Sequence, residues 1–467
     1  MKILLTALEL SPYLERSSAA STVANLAKAL SLLGHELTIA SPYFDDYEKA
    51  GLLLARRLTS LDLGEDQSAQ IFDVQLSSGV CVSLLRAEHA LFDSSQPLEG
   101  QAAALGAFAK AAAAYAIASQ EAACPFDVVH AVGACAGLCL LHLRAKGMAK
   151  VLSVHDASCS GDFQRGDGKL LAIPEDRLGS HGFGSGNGLS LLKGLLSEAD
   201  AVLSPSATYG NNLSAPEHYG ALARAFQGIE LQAIVGGIDV SVYNPSTDSA
   251  LTSRYDAPDP SNKGRNKIAV LSRLGLEFEP ARPLLLIENV EQGDCGWATL
   301  FAAIPGLIRN QVALAILAPD SVVGDARAML EQFDGQASVV SQASDAERRE
   351  LLAGSDFYLS LQRRAPLGRP LLEAGRYGSI PIALRTDAAC DVVVDCDAEL
   401  KTGTGLLYES MTQRALIAAA GRAIAVYHHA DYPRLLRRVM RADVAWDRPA
   451  RRHVQVYRQV CAQSGAG

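Results

Sequence analysis

Lys2-Ile3-Leu4-Leu5-Thr6-Ala7, then Ser21 to Leu33 with Gly34 behind it, then Glu36-Leu37-Thr38-Ile39-Ala40 are the stretches that decide the fold. The first is a short apolar strand. The second carries apolar residues at helical spacing up to the glycine, and the third returns as a strand. Strand, loop, helix, strand is the opening of a doubly wound parallel α/β sheet, in which ligands bind beyond the carboxyl ends of the strands. Working outward, Gln101 to Ala123 reads as an Ala-rich helix, and Val128-Val129-His130, Val151 to Val154 and Ala201 to Ser204 read as further buried parallel strands.

A Pro/Gly/polar-rich stretch, Asp256 to Gly264, reads as a linker or surface connection. Beyond it a second βα series has strands at Leu284–Ile287, Ala313–Leu317, Ala337–Val340, Phe357–Leu361, Ile380–Leu384 and Gly405–Tyr408. The expected division is a first lobe over 1–250, a second over 265–440, and a final segment 441–467 whose helix runs from Trp446 to Val460. A chain of 467 residues with 49% hydrophobic content is long enough for two such cores.

The net charge of −9 leaves no global field to attract nucleic acid or an anionic membrane, so neither is expected as a partner. Eight arginines crowd between Arg434 and Arg458; charge runs on helices usually face water, and this one reads as a solvated face rather than a binding patch. The nine cysteines are scattered without Cys-x-x-Cys or paired Cys/His spacing, which indicates neither a disulfide framework nor a zinc site and implies a reducing cytoplasm. The amino-terminal apolar run stops at Glu9, too short for a signal segment, and no later stretch reads as a membrane span.

Five separated blocks resemble the bacterial glycogen (starch) synthases of the ADP-glucose type. They are Phe126 to Ala131 with Gly137-Leu138; Leu192-Lys193-Gly194 with Ala199-Asp200 and Tyr209; Gly237-Ile238-Asp239 with Tyr243 to Asp248; Asn266-Lys267 with Leu274-Gly275-Leu276; and Ala353 to Phe357, running through Arg376 to Ile382 and Arg385-Thr386 to Gly405–Tyr408. The third is the most specific, being similar to the family's Asn-Gly-Ile-Asp…Trp-Asn-Pro-x-Thr-Asp. The resemblance implies a GT-B fold, two Rossmann-like doubly wound lobes facing an inter-lobe cleft, with the last helix returning to the first lobe. It also implies a reaction in which glucose passes from ADP-glucose to the end of an α-1,4-glucan with retention of configuration, using no metal and no further cofactor. Charge that develops on the departing diphosphate then has to be met by cations and backbone N–H groups.

Those groups are where this chain departs from the family. The family's Lys-Thr-Gly-Gly-Leu phosphate loop falls on Glu15, Arg16, Ser17, Ser18 and Ala19. Glycines there let the backbone approach phosphate. A carboxylate about 4 Å from a phosphate is instead repelled by roughly 4 kcal/mol at an intermediate dielectric, with Arg16 the one candidate substitute cation. In the second lobe the slots of an arginine and a lysine hold Val290 and Cys295, and each lost charge-assisted contact is worth about 1.5–3 kcal/mol. The slot of the glutamate that faces the donor sugar holds Ala365. Eight residues on, Glu373 is either a remnant that holds the ribose or a solvated helix-start glutamate. The Thr-Gly-Gly-Leu loop becomes Thr386-Asp387-Ala388-Ala389, losing both glycines and gaining a negative charge. His155 occupies the family's active-site histidine slot; a satisfied structural histidine at a strand end is the competing reading. Lys193 and Tyr209 remain as fold residues.

Two functions compete on these residues. One is a synthase-like protein that no longer transfers glucose and binds an α-glucan, an intact glycogen synthase or a second copy of itself. The other is an active retaining glucosyltransferase with a remodelled donor site, for which Arg16, Arg363, Arg364 and Arg369 are the available cations.

Overall fold

The computed structural model describes residues 1–15, 17–76, 78–122, 124–143, 147–288, 296–364 and 366–463. The chain forms two compact units, residues 1–236 with 446–467, and residues 237–445.

The first unit is built on β1 (Lys2–Thr6), β2 (Glu36–Pro42), β3 (Gln67–Gln75), β4 (Cys81–Ala87), β5 (Val128–Val132), β6 (Ala149–Ser153), β7 (Ala201–Ser204) and β8 (Leu231–Ala233). Their order is β8-β7-β6-β5-β1-β2-β4-β3. All pairs are parallel except β4 with β3, and two short strands, Ala55–Arg56 and Leu61–Gly64, add antiparallel to β3. β1 is apolar on both faces because both are covered. Leu4 joins the core under helix α2 (Ala102–Glu121), while Ile3 and Leu5 join the core under helix α1 (Ser18–Leu32) and the carboxyl-terminal helix Asp447–Gln463. α2 is long and apolar enough to cross a membrane by composition alone. It carries Lys110, however, and 67% of its most apolar window is buried in the unit. At Gly106 of that helix a β-carbon would stand 2.0 Å from the Leu170 carbonyl oxygen, so the close backbone approach requires glycine.

The second unit has β9 (Leu284–Glu288), β10 (Ala313–Ala318), β11 (Ala337–Ser341), β12 (Phe357–Ser360), β13 (Ile380–Leu384) and β14 (Leu406–Tyr408), all parallel in the order β11-β10-β9-β12-β13-β14. This is the 3-2-1-4-5-6 winding of a dinucleotide-binding fold, whose crevice opens between its first and fourth strands, here β9 and β12. The Pro-rich stretch 256–264 lies inside this unit rather than at its edge. Tyr255 donates its hydroxyl to the Tyr377 carbonyl at 2.7 Å, and the Lys263 ammonium reaches the carbonyls of Ala353 (2.8 Å) and Tyr377 (3.0 Å), so both flanks of the stretch are pinned to the second core. The change of unit comes earlier, between Gly236 and Gly237.

Candidate functional site

In the first unit the candidate residues follow the carboxyl ends of β1 and β6, which flank β5 in the interior of the sheet. Glu15 is exposed. Ser17 is the N-cap of α1 with φ −139° and ψ 160°, an extended backbone that any residue adopts, so this helix start makes no use of glycine's freedom. Its side chain caps no helix amide. Instead the Ser17 N–H and hydroxyl both donate to Oε2 of Glu9, at 2.9 and 3.2 Å. A helix N-terminus attracts an anion; here the anion is the chain's own carboxylate, in the loop where the resemblance puts a phosphate. Ser18 is the first helical residue. Arg16 lies outside the described residues. Replacing Glu9 by alanine removes the acceptor at this helix start, and a loss of about 1 kcal/mol in the denaturant unfolding of the first unit is expected. An unchanged unfolding midpoint would show that the Glu9 contacts contribute nothing.

His155 is not the satisfied strand-end histidine. Its Nδ1 is buried without a hydrogen-bond partner among the described residues, and burial first, then the neighbouring His453 ring, push its pKa down to about 4. It is therefore neutral at physiological pH and offers no cation to a leaving phosphate. The loop that carries it is held by Tyr209, whose hydroxyl accepts the Ala157 N–H at 2.7 Å. Lys193 is likewise spent on backbone, donating to the carbonyls of Ser180 (2.8 Å) and Gly184. Nearby, His130 on β5 bonds Tyr457 on the carboxyl-terminal helix through Nδ1 and Ser153 on β6 through Nε2, each at 2.7 Å. His453 Nδ1 donates to the Pro449 carbonyl at 2.8 Å, with its ring 5.8 Å from that of His130.

In the second unit Val290, Cys295 and Ala365 lie outside the described residues. What is described at the β9/β12 crevice is a closed chain of charges. Glu288, the last residue of β9, receives Nε and Nη2 of Arg348 at 2.7 and 2.9 Å and the Tyr358 hydroxyl at 2.8 Å. Arg348 on helix α3 (Asp345–Gly354) also gives Nη1 to Glu373 Oε2 at 2.6 Å. Glu373, on helix α4 (Arg369–Arg376), takes Arg369 Nε on its other oxygen at 2.5 Å, and Arg369 Nη2 reaches the Tyr243 hydroxyl at 3.2 Å. Glu373 is 2% exposed and Glu288 7%. The solvated helix-start reading of Glu373 is therefore wrong: the short helix turns it inward, and two arginines compensate its burial. Burial pushes the Glu288 carboxyl up, but the Arg348 ion pair and the Tyr358 hydroxyl outweigh it and hold the carboxyl below its usual range.

Beyond β13, Asp387 has φ +43°, the left-handed region that favours glycine. Aspartate is among the few side chains that tolerate it. The turn thus survives in the slot of the family's first glycine. Asp387 is 3% exposed, so the negative charge it adds is not presented to water. Thr386 donates its N–H to the Leu384 carbonyl at 2.8 Å as part of the same turn.

The motif blocks that the chain shares with the family meet as structure. Asp248 accepts the Tyr377 hydroxyl (2.5 Å) and Arg349 Nε (2.9 Å), and Gly378, at φ +70°, has no room for a β-carbon, which would lie 2.7 Å from Leu436 Cδ1. Those blocks hold the second core together; they do not by themselves bear on chemistry.

Sequence reasoning missed Glu288 and Arg348. Glu288 ends an apolar run that reads as complete at Ile287, and Arg348 sits in the charged run Asp345-Ala346-Glu347-Arg348-Arg349-Glu350, which reads as solvated. One signal was present: Arg348 lies three and four residues before Leu351 and Leu352, on the face that the helix buries. His130 was legible only as a strand residue.

Against known proteins, residues 2–228 match the model of the starch synthase catalytic domain family. The chain is 28% identical over 479 residues to a glycogen synthase of Kosmotoga olearia, covering 98% of each chain, and 30% identical over 353 residues to one of Rhodopseudomonas palustris, covering 72% of each. Its fold is similar to that of the catalytic domain of starch synthase IV from Arabidopsis thaliana, a structure bound to ADP and acarbose, with a TM-score of 0.87 at 20% identity over 99% of both chains. With two sheet-containing units of that architecture and relatives matched over most of its length, the chain belongs to the glycogen/starch synthase family of GT-B glycosyltransferases.

Proposed function

We propose that this chain is a member of the family that no longer transfers glucose and serves α-glucan metabolism as a binding or scaffold protein. The observation that carries the reading is the Glu288–Arg348–Glu373–Arg369 chain at the β9/β12 crevice. Two guanidiniums there are matched by two carboxylates, so neither Arg348 nor Arg369 is a surplus cation for a departing diphosphate. Opening the chain to free one would break a largely buried ion pair, at a cost of about 3–5 kcal/mol. In the first unit, Glu9 at the start of α1 works in the same direction. An uncharged glucan suffers no such repulsion, and of the two ligands seen with the Arabidopsis domain it is the ADP that these carboxylates disfavour.

Purified protein supplied with glycogen and labelled ADP-glucose or UDP-glucose is expected to incorporate no glucose above background. Robust incorporation would establish the active, remodelled alternative instead. Restoring a single family residue, for example Glu15→Lys, is expected to leave activity at background, because groups that act together on one leaving group are strongly non-additive. Titration with a maltooligosaccharide, or co-purification with an intact synthase, reads the binding role directly.

A further inference from the structure

Of the eight arginines near the carboxyl end, four belong to the second unit and line one groove. Helix α5 (Tyr432–Met440) buries Leu435, Leu436, Val439 and Met440, which turns Arg434, Arg437 and Arg441 outward along the opposite face. As a plain solvated face this would be convex and featureless. It is instead one wall of a groove of about 580 Å³ lined by Thr404, Arg434, Arg437, Arg438, Arg441 and Ala442.

The other wall exists because of Arg438. Its guanidinium donates to the carbonyls of Gly403 (2.7 Å), Thr402 (2.9 Å), Leu400 (3.1 Å) and Lys401 (3.2 Å), which fastens the loop over residues 400–403 against the helix. Thr404, next in that loop, accepts the Val394 N–H on Oγ1 at 3.0 Å, leaving its own hydroxyl proton to donate. Arg434 pairs with Asp431 at 2.8 Å but is 80% exposed, so that pair is weak. Arg437 is near enough to Asp259 to help hold that carboxyl below its usual range, behind the hydrogen bonds of Ser261. Asp431 and Asp259 adjoin these arginines, but among the described residues no carboxylate lines the groove itself, in a protein whose net charge is −9.

We propose that this groove binds a phosphorylated small molecule, gripped by Arg437 and Arg441 with the Thr404 hydroxyl as a further donor. Planar guanidinium forks match phosphate oxygens two at a time, and residues four apart on a helix stand about 5–6 Å apart, close enough to share one polyanion. The groove is open to solvent, and its volume falls within the range of small-molecule sites. The site is separate from the β9/β12 crevice and does not depend on whether that crevice is catalytic.

Inorganic pyrophosphate is the probe, titrated by calorimetry at about 150 mM salt, where exposed charges are screened beyond about 8 Å. Saturable binding at one site is expected. The Arg437→Gln/Arg441→Gln double variant, altered only at exposed positions, is expected to weaken it at least tenfold, and Arg448→Gln/Arg452→Gln, which removes two exposed arginines of the carboxyl-terminal helix, to leave it unchanged. Absence of saturable binding overturns the proposal, as does an equal loss in both double variants, which would reduce the effect to net charge. The same variants separate this site from the donor-site reading. ADP binding that vanishes with Arg437 and Arg441 belongs to the groove and supports it, whereas ADP binding that persists in their absence, with pyrophosphate binding lost, supports the groove and contradicts the lost donor site.

Discussion

Arg348→Met is expected to destabilise the second unit by about 3–5 kcal/mol, the cost of leaving buried charge without its partner. The argument rests on position. Glu288 and Glu373 are 7% and 2% exposed, and among the described residues Arg348 is the one that bonds both. Methionine fills similar volume, so the loss is electrostatic rather than a cavity effect. The triple variant Glu288→Leu/Arg348→Met/Glu373→Leu removes the charges together and is expected to recover most of the loss, since an apolar replacement of a buried ion network is often neutral or better. The chain offers a clean readout. It has two tryptophans, Trp297 in the second unit and Trp446 in the first, so Trp446→Phe leaves a fluorophore that reports the second unit alone. A single variant within about 1 kcal/mol of the parent, against the 3–5 expected, would show that the crevice is not held by this network, and the proposal built on it would fall with it.

Acidification is expected to weaken the first unit before the second. His130 and His453 are buried, His155 is half-buried with its Nδ1 enclosed, and all three are neutral; desolvation pushes His130 well below its usual range and takes His155 and His453 down to about 4. In the unfolded chain these rings titrate near 6.5. Between those values the unfolded state binds more protons than the folded one, so stability falls as pH falls from about 6.5 toward about 4. For His453 alone a displacement of that size is roughly 3 kcal/mol. Glu288 works in a lower window. Its carboxyl is held below its ordinary value, so its contribution is intact above about 4.5 and is lost only as pH falls through the folded value. With Trp297→Phe, Trp446 fluorescence should report first-unit unfolding that begins at higher pH than the transition reported by Trp297. His453→Gln should flatten the pH slope by about one proton. A first unit whose stability is level from pH 7 to 5 would refute the neutral-histidine account.

The parallel strands, the helix between β1 and β2, and the family were all legible in the sequence, because hydrophobic periodicity and motif spacing are local or nearly local properties. Runs such as Leu284–Ile287 and Ile380–Leu384 could only be buried strands. The departures from the family's motifs were legible too, since Glu15 and Asp387 stand where the resemblance puts a lysine and a glycine. What the chain alone could not decide was where charge ends up once distant segments pack. Glu373 reads equally as a ribose-holding remnant or a solvated helix start and is in fact enclosed by arginines from two helices; Asp387 reads as an added negative charge, and only the structure buries it, in a turn with a positive φ. Arg348 and Arg437 both sit in charged helical runs and read alike. One is turned onto the core by Leu351 and Leu352 in its own helix. The other is turned outward by Leu435 and Leu436, into a groove that exists only because Arg438 draws in the loop over residues 400–403. A side chain's type and period are set by its neighbours in sequence, but its dielectric and its partners are set by whatever packs against it, and that is a property of the tertiary structure.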